Sequence, residues 1–400
     1  MLVVVAPGQG AQTPGFLGPW LEVPGVEPRL RWLSAVTDMD LLAHGTASDA
    51  ETIRDTAVAQ PLLVAAGLVV LDALGSDRSQ TLRAVSVLAG HSVGEFTAAA
   101  AAGVMSDEQA LTLVRERGRA MAAAAAVQPT GMTAVVGGDP DEVTASLGRH
   151  GLTAANVNGA GQVVAAGTVE GLQTLAADPP HRARLRPLPV AGAFHTHHMA
   201  PAVERLRTLT DGLPVADPRT RLLSNRDGAV VHHGRDVLTR LVDQVSSPVR
   251  WDLCMQSMAD LGVTGVLELT PAGTLTGLAR RGLPGVATFA LSSPDQLSDA
   301  GAFVETHADA AAADLQATPT WRLVVAPITG TFSAVTHAVG AALDPGAVVG
   351  RITSLREAWD VAAPHGGRVL EWLAQDGDPV TPGQPLVRLH PDADGEEDVA

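Results

Sequence analysis

Residues 1 to about 300 predict an α/β fold carrying a small inserted α/β subdomain, and the remainder predicts an all-β module. Three observations lead there. The apolar run 84–89 enters Gly90-His91-Ser92-Val93-Gly94-Glu95 and then an alanine-rich segment, the strand–turn–helix order of a nucleophile elbow. Between Thr130 and Pro189, short β-rich runs alternate with two helical ones. Near the C-terminus the chain repeats itself: Ala326-Pro327 falls on Ala363-Pro364, Gly340 on Gly377, and Pro345-Gly346 on Pro382-Gly383.

Composition bounds the function. A chain of 400 residues, 46% hydrophobic, holds two or three domains with cores of their own. Its apolar runs, such as 62–71, fall short of the ~20 residues that span a bilayer. The start, Met1 to Pro7, has neither a basic region nor a long apolar core, so it reads as a buried strand rather than a secretion signal. Cys254 is the only cysteine, which excludes an intrachain disulfide. A cytoplasmic location is expected. The net charge of −16 and the absence of tyrosine argue against nucleic-acid binding. All 27 basic residues are arginine; the chain has no lysine.

After the first strand, Pro7-Gly8-Gln9-Gly10-Ala11-Gln12 flanks Gln9 with glycines that let backbone approach a ligand. Pro61 suits a first helical turn, so a helix is expected over 62–74, ending at Gly75. At the elbow, small residues on both sides leave Ser92 clear of the backbone, with the amide of Val93 free for an oxyanion. Ser106 and Gln109 form a capping box for a helix running to about Ala126. At about 100° per residue, Ala110, Leu111, Leu113, Val114, Gly118 and Met121 share its inner face. Arg115 and Arg119 point away from that face, and Arg117 lies roughly 50° from its centre. An inward guanidinium needs an anion, either a protein carboxylate or a substrate carboxylate.

From Thr130 to Pro189 the order strand–helix–strand–helix–strand resembles a ferredoxin-like insertion, with 156–161 as its turn residues. In Gly192-Ala193-Phe194-His195-Thr196-His197-His198, three histidines suggest a metal, but no cysteine or carboxylate lies nearby to complete a zinc set. One histidine as general base is the better use, and His195, after an apolar strand and a phenylalanine, is the one held firmly. Residues 244–251 form a loop entering a helix, 261–269 and 287–291 give late strands, and the alanine-rich 306–318 reads as a linker.

Five stretches, Pro7–Gln12, Gly90–Glu95, Arg117-Gly118, Gly192–His195 and Ser247-Pro248-Val249-Arg250-Trp251, together resemble the malonyl-CoA:acyl-carrier-protein transacylase family. The resemblance implies an α/β-hydrolase-like core with a ferredoxin-like subdomain, malonyl-CoA and an acyl carrier protein as partners, and ping-pong acyl transfer in fatty-acid or polyketide synthesis. It implies Ser92 as nucleophile, His195 as base, and Gln9 and Val93 as the oxyanion hole. It assigns Arg117, Phe194 and His91 to substrate, and the main-chain carbonyl of Arg250 to orienting the histidine. Neither a cofactor nor a metal is implied, and a monomer is expected.

The C-terminal repeat resembles a biotinyl/lipoyl-type sandwich, whose cofactor sits on a hairpin lysine. Asp360 takes that place here, and a chain without lysine excludes amide attachment. The expected domains are an acyltransferase domain over 1–305 with its subdomain at 128–191, a linker at 306–320, the sandwich at 321–391 and an acidic tail at 392–400. Three other readings compete: a trans-acting polyketide acyltransferase with another acyl group, a serine thioester hydrolase, and a non-catalytic scaffold.

Overall fold

The computed structural model describes residues 1–75, 78–190, 192–308, 322–335, 338, 340–354, 357–364 and 366–390. The tail at 392–400 and most of the expected linker, from 309 on, lie outside these. The chain divides into two compact units, Met1–Ala312 and Ala313–Ala400.

In the first unit, β1 (Leu2–Ala6) is followed by helices α1 (Val26–Thr37), α2 (Leu41–Thr46), α3 (Thr56–Ala73) and α4 (Arg78–Arg83). Then come β2 (Val87–Gly90), α5 (Gly94–Ala101) and α6 (Asp107–Ala125). Every residue of β1 is buried, as the opening apolar run requires of a central parallel strand. The helix expected from Pro61 begins five residues earlier. Asp55 accepts from the amide of Ala57 at the start of α3, and Pro61 lies inside the helix. The cap sets the start, and Pro61 has no N–H to give to the first turn. This helix is apolar and long enough to cross a membrane, yet 78% of that window is buried in the fold. The Ser106–Gln109 capping box of α6 is present, and its inner face is buried along with Arg117.

The subdomain contains β3 (Thr130–Gly137), α7 (Pro140–Arg149), β4 (Thr153–Gly159), β5 (Gln162–Thr168), α8 (Val169–Ala177) and β6 (Ala183–Pro187). Residues 156–159, expected as turn, belong to β4, and the turn itself is Ala160-Gly161, both at positive φ. Asn and Gly hid a strand whose register with β5 shifts twice. The chain then returns through α9 (Ala200–Thr210), β7 (Arg221–Leu223), β8 (Val230–Val231), α10 (Gly234–Asp243), β9 (Val249–Arg250) and α11 (Trp251–Asp260). It ends with β10 (Gly265–Glu268), α12 (Thr274–Gly282), β11 (Ala287–Ala290) and α13 (Leu297–His307).

The main sheet has the order β11-β10-β1-β2-β7-β8, parallel except for β8. The subdomain sheet has the order β6-β3-β5-β4-β9, so β9, from late in the chain, ties the subdomain back to the core.

The second unit consists of β12 (Arg322–Val325), β13 (Gly330–Ala334), β14 (Ala342–Leu343), β15 (Val348–Thr353), β16 (Ala358–Ala362), β17 (Gly367–Trp372), β18 (Pro379–Val380) and β19 (Pro385–His390). They form two four-stranded sheets, β12-β19-β17-β14 and β16-β15-β13-β18. The sequence repeat maps β13, β14 and β15 onto β17, β18 and β19, and so one sheet onto the other. Phe332, Ile352 and Leu386 fill the core between them. Asp360 does not occupy the hairpin turn as expected. It lies within β16 opposite Arg351, with which it pairs at 2.8 Å.

Candidate active site

Ser92 stands where β2 hands over to α5. A Cβ on Gly90 would lie 2.0 Å from the carbonyl carbon of Gly94, and one on Gly94 would lie 2.2 Å from the Ala6 oxygen. No side chain fits either position, which is what turns the chain sharply enough to raise Ser92. Both Ser92 (φ 53°) and His195 (φ 61°) adopt the left-handed conformation, unusual outside glycine and typical of residues held for function.

The two meet: Ser92 Oγ lies 2.7 Å from His195 Nε2. His195 Nδ1 lies 2.8 Å from the carbonyl oxygen of Gln244. A carbonyl only accepts, so Nδ1 carries the proton and Nε2 faces the hydroxyl as the free base. The orienting carbonyl is therefore that of Gln244, not Arg250. Arg250 instead donates its amide to Asn225 O and pairs its side chain with Asp252. Burial first, then the nearby Arg117 charge, holds the His195 imidazole down to about 3, against the pull of the Gln244 carbonyl.

Arg117 is fully buried. Its Nη2 donates to Gln244 Oε1 at 2.8 Å, while Nε and Nη1 have no partner. Phe96 lies beneath it, ring centroid 5.9 Å from Cζ. Among the described residues no carboxylate pairs with it directly. Burial lowers its pKa to about 10, with Glu95 opposing. An unpaired buried guanidinium is costly, and these free N–H groups point to an anion from outside.

Ser92, His195, Arg117, Gln9, Val93, His91 and Phe194 all line one cleft of about 250 Å³ between the core and the subdomain sheet. The amides of Gln9 and Val93 make no hydrogen bond among the described residues. The Gln9 side chain is anchored away from them, Nε2 donating to Arg54 O at 3.2 Å. His91 packs edge-on against Trp251, with Nε2 2.9 Å from Asn158 Oδ1, and its burial lowers its pKa. Phe194 is 6% exposed. His197 and His198 stack on each other in the following turn and do not line the cleft.

Sequence reasoning missed the polar layer under the elbow. Asn225 Oδ1 accepts from the Ser92 amide and its Nδ2 donates to Gly90 O, both at 2.7 Å. The buried Glu95 accepts from Asn225 N at 2.7 Å and from Gln244 Nε2. Burial raises the Glu95 carboxyl to about 8, against these donors and the Arg117 charge. One signal was available: an acid at the head of Phe96–Ala102, a segment whose only polar residue is Thr97, has no charged helix face to occupy.

The comparisons with known proteins bear on this geometry. Residues 27–310 match the acyl transferase domain family. The chain belongs to the acyl transferase family. This acyltransferase is 47% identical over 300 residues to the malonyl CoA-acyl carrier protein transacylase of Mycobacterium tuberculosis, covering 75% of this chain and 99% of that one. The Escherichia coli protein of the same name is 30% identical over 303 residues, 74% of this chain and 97% of its own. The crystal structure of the Mycobacterium tuberculosis MCAT superposes with a TM-score of 0.72, covering 75% of the acyltransferase and 99% of that chain. A malonyl-transacylase solved with its type II PKS acyl-carrier protein superposes with a TM-score of 0.70 at 29% identity, covering 75% of this chain and 98% of that one.

Proposed function

We propose that this acyltransferase moves malonyl from malonyl-CoA to the phosphopantetheine thiol of an acyl carrier protein, through an ester on Ser92. One observation carries the reading: the Ser92–His195 pair shares its cleft with an arginine offering two unpartnered nitrogens. That combination suits an acyl group ending in a carboxylate. The relatives named as malonyl CoA-acyl carrier protein transacylases support it.

In the first half-reaction His195 Nε2 takes the Ser92 proton as Oγ attacks the thioester carbonyl. The oxyanion develops on the amides of Gln9 and Val93, where losing one donor costs roughly 10²–10³ in rate. Collapse expels the coenzyme A sulfur, which recovers the proton from His195. In the second half the carrier thiol gives its proton to His195, sulfur attacks the ester carbonyl, and Ser92 Oγ leaves and is reprotonated. The Gln244 carbonyl fixes the tautomer and steadies the transient imidazolium. Arg117 holds the malonyl carboxylate with the N–H groups that Gln244 leaves free, a charge-assisted grip that a neutral acyl group cannot use. Phe194 crowds the α-carbon, favouring malonyl over methylmalonyl, and His91 borders the same acyl site.

Docking of an acidic carrier onto a chain of net charge −16 calls for a local basic surface. Arg182, Arg184 and Arg186 are exposed on or beside the edge strand β6. Arg186 pairs across the sheet with Ala134, and Ala134 lines the cleft. Alternate residues share a sheet face, so the arginines extend the face that walls the active site. They are our candidate carrier contact, with fatty-acid or polyketide synthesis as the setting. The protein acts as a cytoplasmic monomer in this reading, without a nucleic-acid or membrane partner.

The strand order β6-β3-β5-β4, with α7 and α8 as crossovers, supports a ferredoxin-like subdomain over 128–191. The parallel sheet with its elbow supports an α/β-hydrolase-like core within 1–305. The two sheets related by the repeat support a biotinyl/lipoyl-like sandwich over 321–391 that carries no cofactor.

Intact-mass analysis after mixing with malonyl-, methylmalonyl- or acetyl-CoA tests the function. Wild type should gain one malonyl, absent in Ser92→Ala, and pass it to carrier thiol faster than to water. Arg117→Ala should lose malonyl or shift toward acetyl. Discharge to water at the same rate with or without carrier would favour the hydrolase reading, and no label at all the scaffold.

A further inference from the structure

We infer that Glu95 and the Gln244 side chain form the seat of Arg117, a positioning pair that sets selectivity for acidic acyl groups. The inference rests on the malonyl reading above and names side chains that reading does not use, since there Gln244 acts only through its main-chain carbonyl. The group touching Arg117 is an amide, not an acid. Gln244 Oε1 holds one guanidinium nitrogen, Nη2, and leaves the charge and the other nitrogens free. A carboxylate in the same place would pair with the fork and compete with the substrate for it.

An amide has two ends, and only its oxygen can face a guanidinium. Glu95 decides which end does. One oxygen of its buried carboxyl accepts from Gln244 Nε2, which turns Oε1 toward Arg117. Gln244 Nε2 also reaches the Ser92 carbonyl at 3.1 Å, and Asn225 N fixes the other Glu95 oxygen. Glu95 stands three residues after Ser92, at the start of α5. The seat is thus anchored to the elbow itself, which ties the position of the carboxylate grip to that of the nucleophile.

The test compares initial rates of Ser92 acylation by malonyl-CoA and acetyl-CoA in the full chain. Glu95→Gln removes the lock, because a glutamine can present an oxygen or an amine to Gln244. The malonyl-to-acetyl ratio should fall about tenfold or more, the loss of roughly one charge-assisted hydrogen bond. An unchanged ratio, or an equal loss of both acyl groups, overturns the inference. The exchange variant Glu95→Gln/Gln244→Glu keeps composition and charge but puts the acid directly on Arg117. It should lose the malonyl preference, as Arg117→Ala does, and a wild-type ratio there overturns the inference even if the single variant does not fold. Failure of wild type to prefer malonyl would instead sink the function proposed above.

Discussion

At the scale of single residues, the site is a set of buried groups that set one another's charge states. His195 is buried, so its charged form is disfavoured, and the nearby Arg117 disfavours it further. The neutral base therefore persists far below the 6.5 of a free imidazole. This sets a pH dependence. A folded pKa held near 3 means that kcat/KM for malonyl loading, which reports the free enzyme, should stay level between pH 7 and pH 5.5. An exposed histidine would already have lost most of its base form there. Quenched-flow mass analysis across that range decides the point: an acid limb centred near 6.5 would mean that His195 is not in the environment described. The same shift has a stability counterpart. Because the unfolded chain binds the proton more readily, the contribution of His195 to stability is present above about pH 6.5 and is lost as pH falls toward the folded value.

At the scale of elements, strand β6 carries a prediction of its own. Its arginines are exposed and make no ion pair among the described residues, and register places Arg184 opposite Val136 and Arg186 opposite Ala134 on the cleft-side face. Reversing charge at Arg182 and Arg184 should raise the KM for carrier protein several-fold and leave malonyl loading from coenzyme A unchanged. Equal KM values would remove β6 from the docking surface. The legibility of elements followed their local signals. The capping box of α6 and the Pro140 start of α7 were readable because side chain and backbone satisfy each other within a few residues. Strand β4 was not, because asparagines and a glycine with turn propensity are held extended by pairing to β5 and β9. The start of α3 was missed because Asp55 caps it, a weaker cue in the sequence than Pro61. Ser92, His195 and Arg117 were readable from motif and helical phase. Gln244 was not, since its main-chain role leaves no trace in residue type, and Asn225 arrives from β7 with no local pattern around it.

At the scale of the whole molecule, the two units differ in what the relatives share. About 300 residues of this chain account for 99% of the Mycobacterium tuberculosis relative, so that protein's length is matched without the second unit. The first unit contains every residue of the cleft and its own buried clusters, while the second holds a separate core around Phe332. Separate cores make separate folding units. A chain ending at Ala312 should therefore fold and load malonyl onto Ser92 at the full-length rate, and residues 313–400 alone should melt in one cooperative transition. Thermal denaturation and intact-mass kinetics on the two fragments provide the measurement. If the shortened chain is soluble but loads slowly, the β-sandwich acts on the transferase chemistry. If it loads normally and only transfer to the carrier weakens, the sandwich acts on partner recruitment. A chain without lysine leaves the second outcome open to this module while excluding cofactor carriage through an amide.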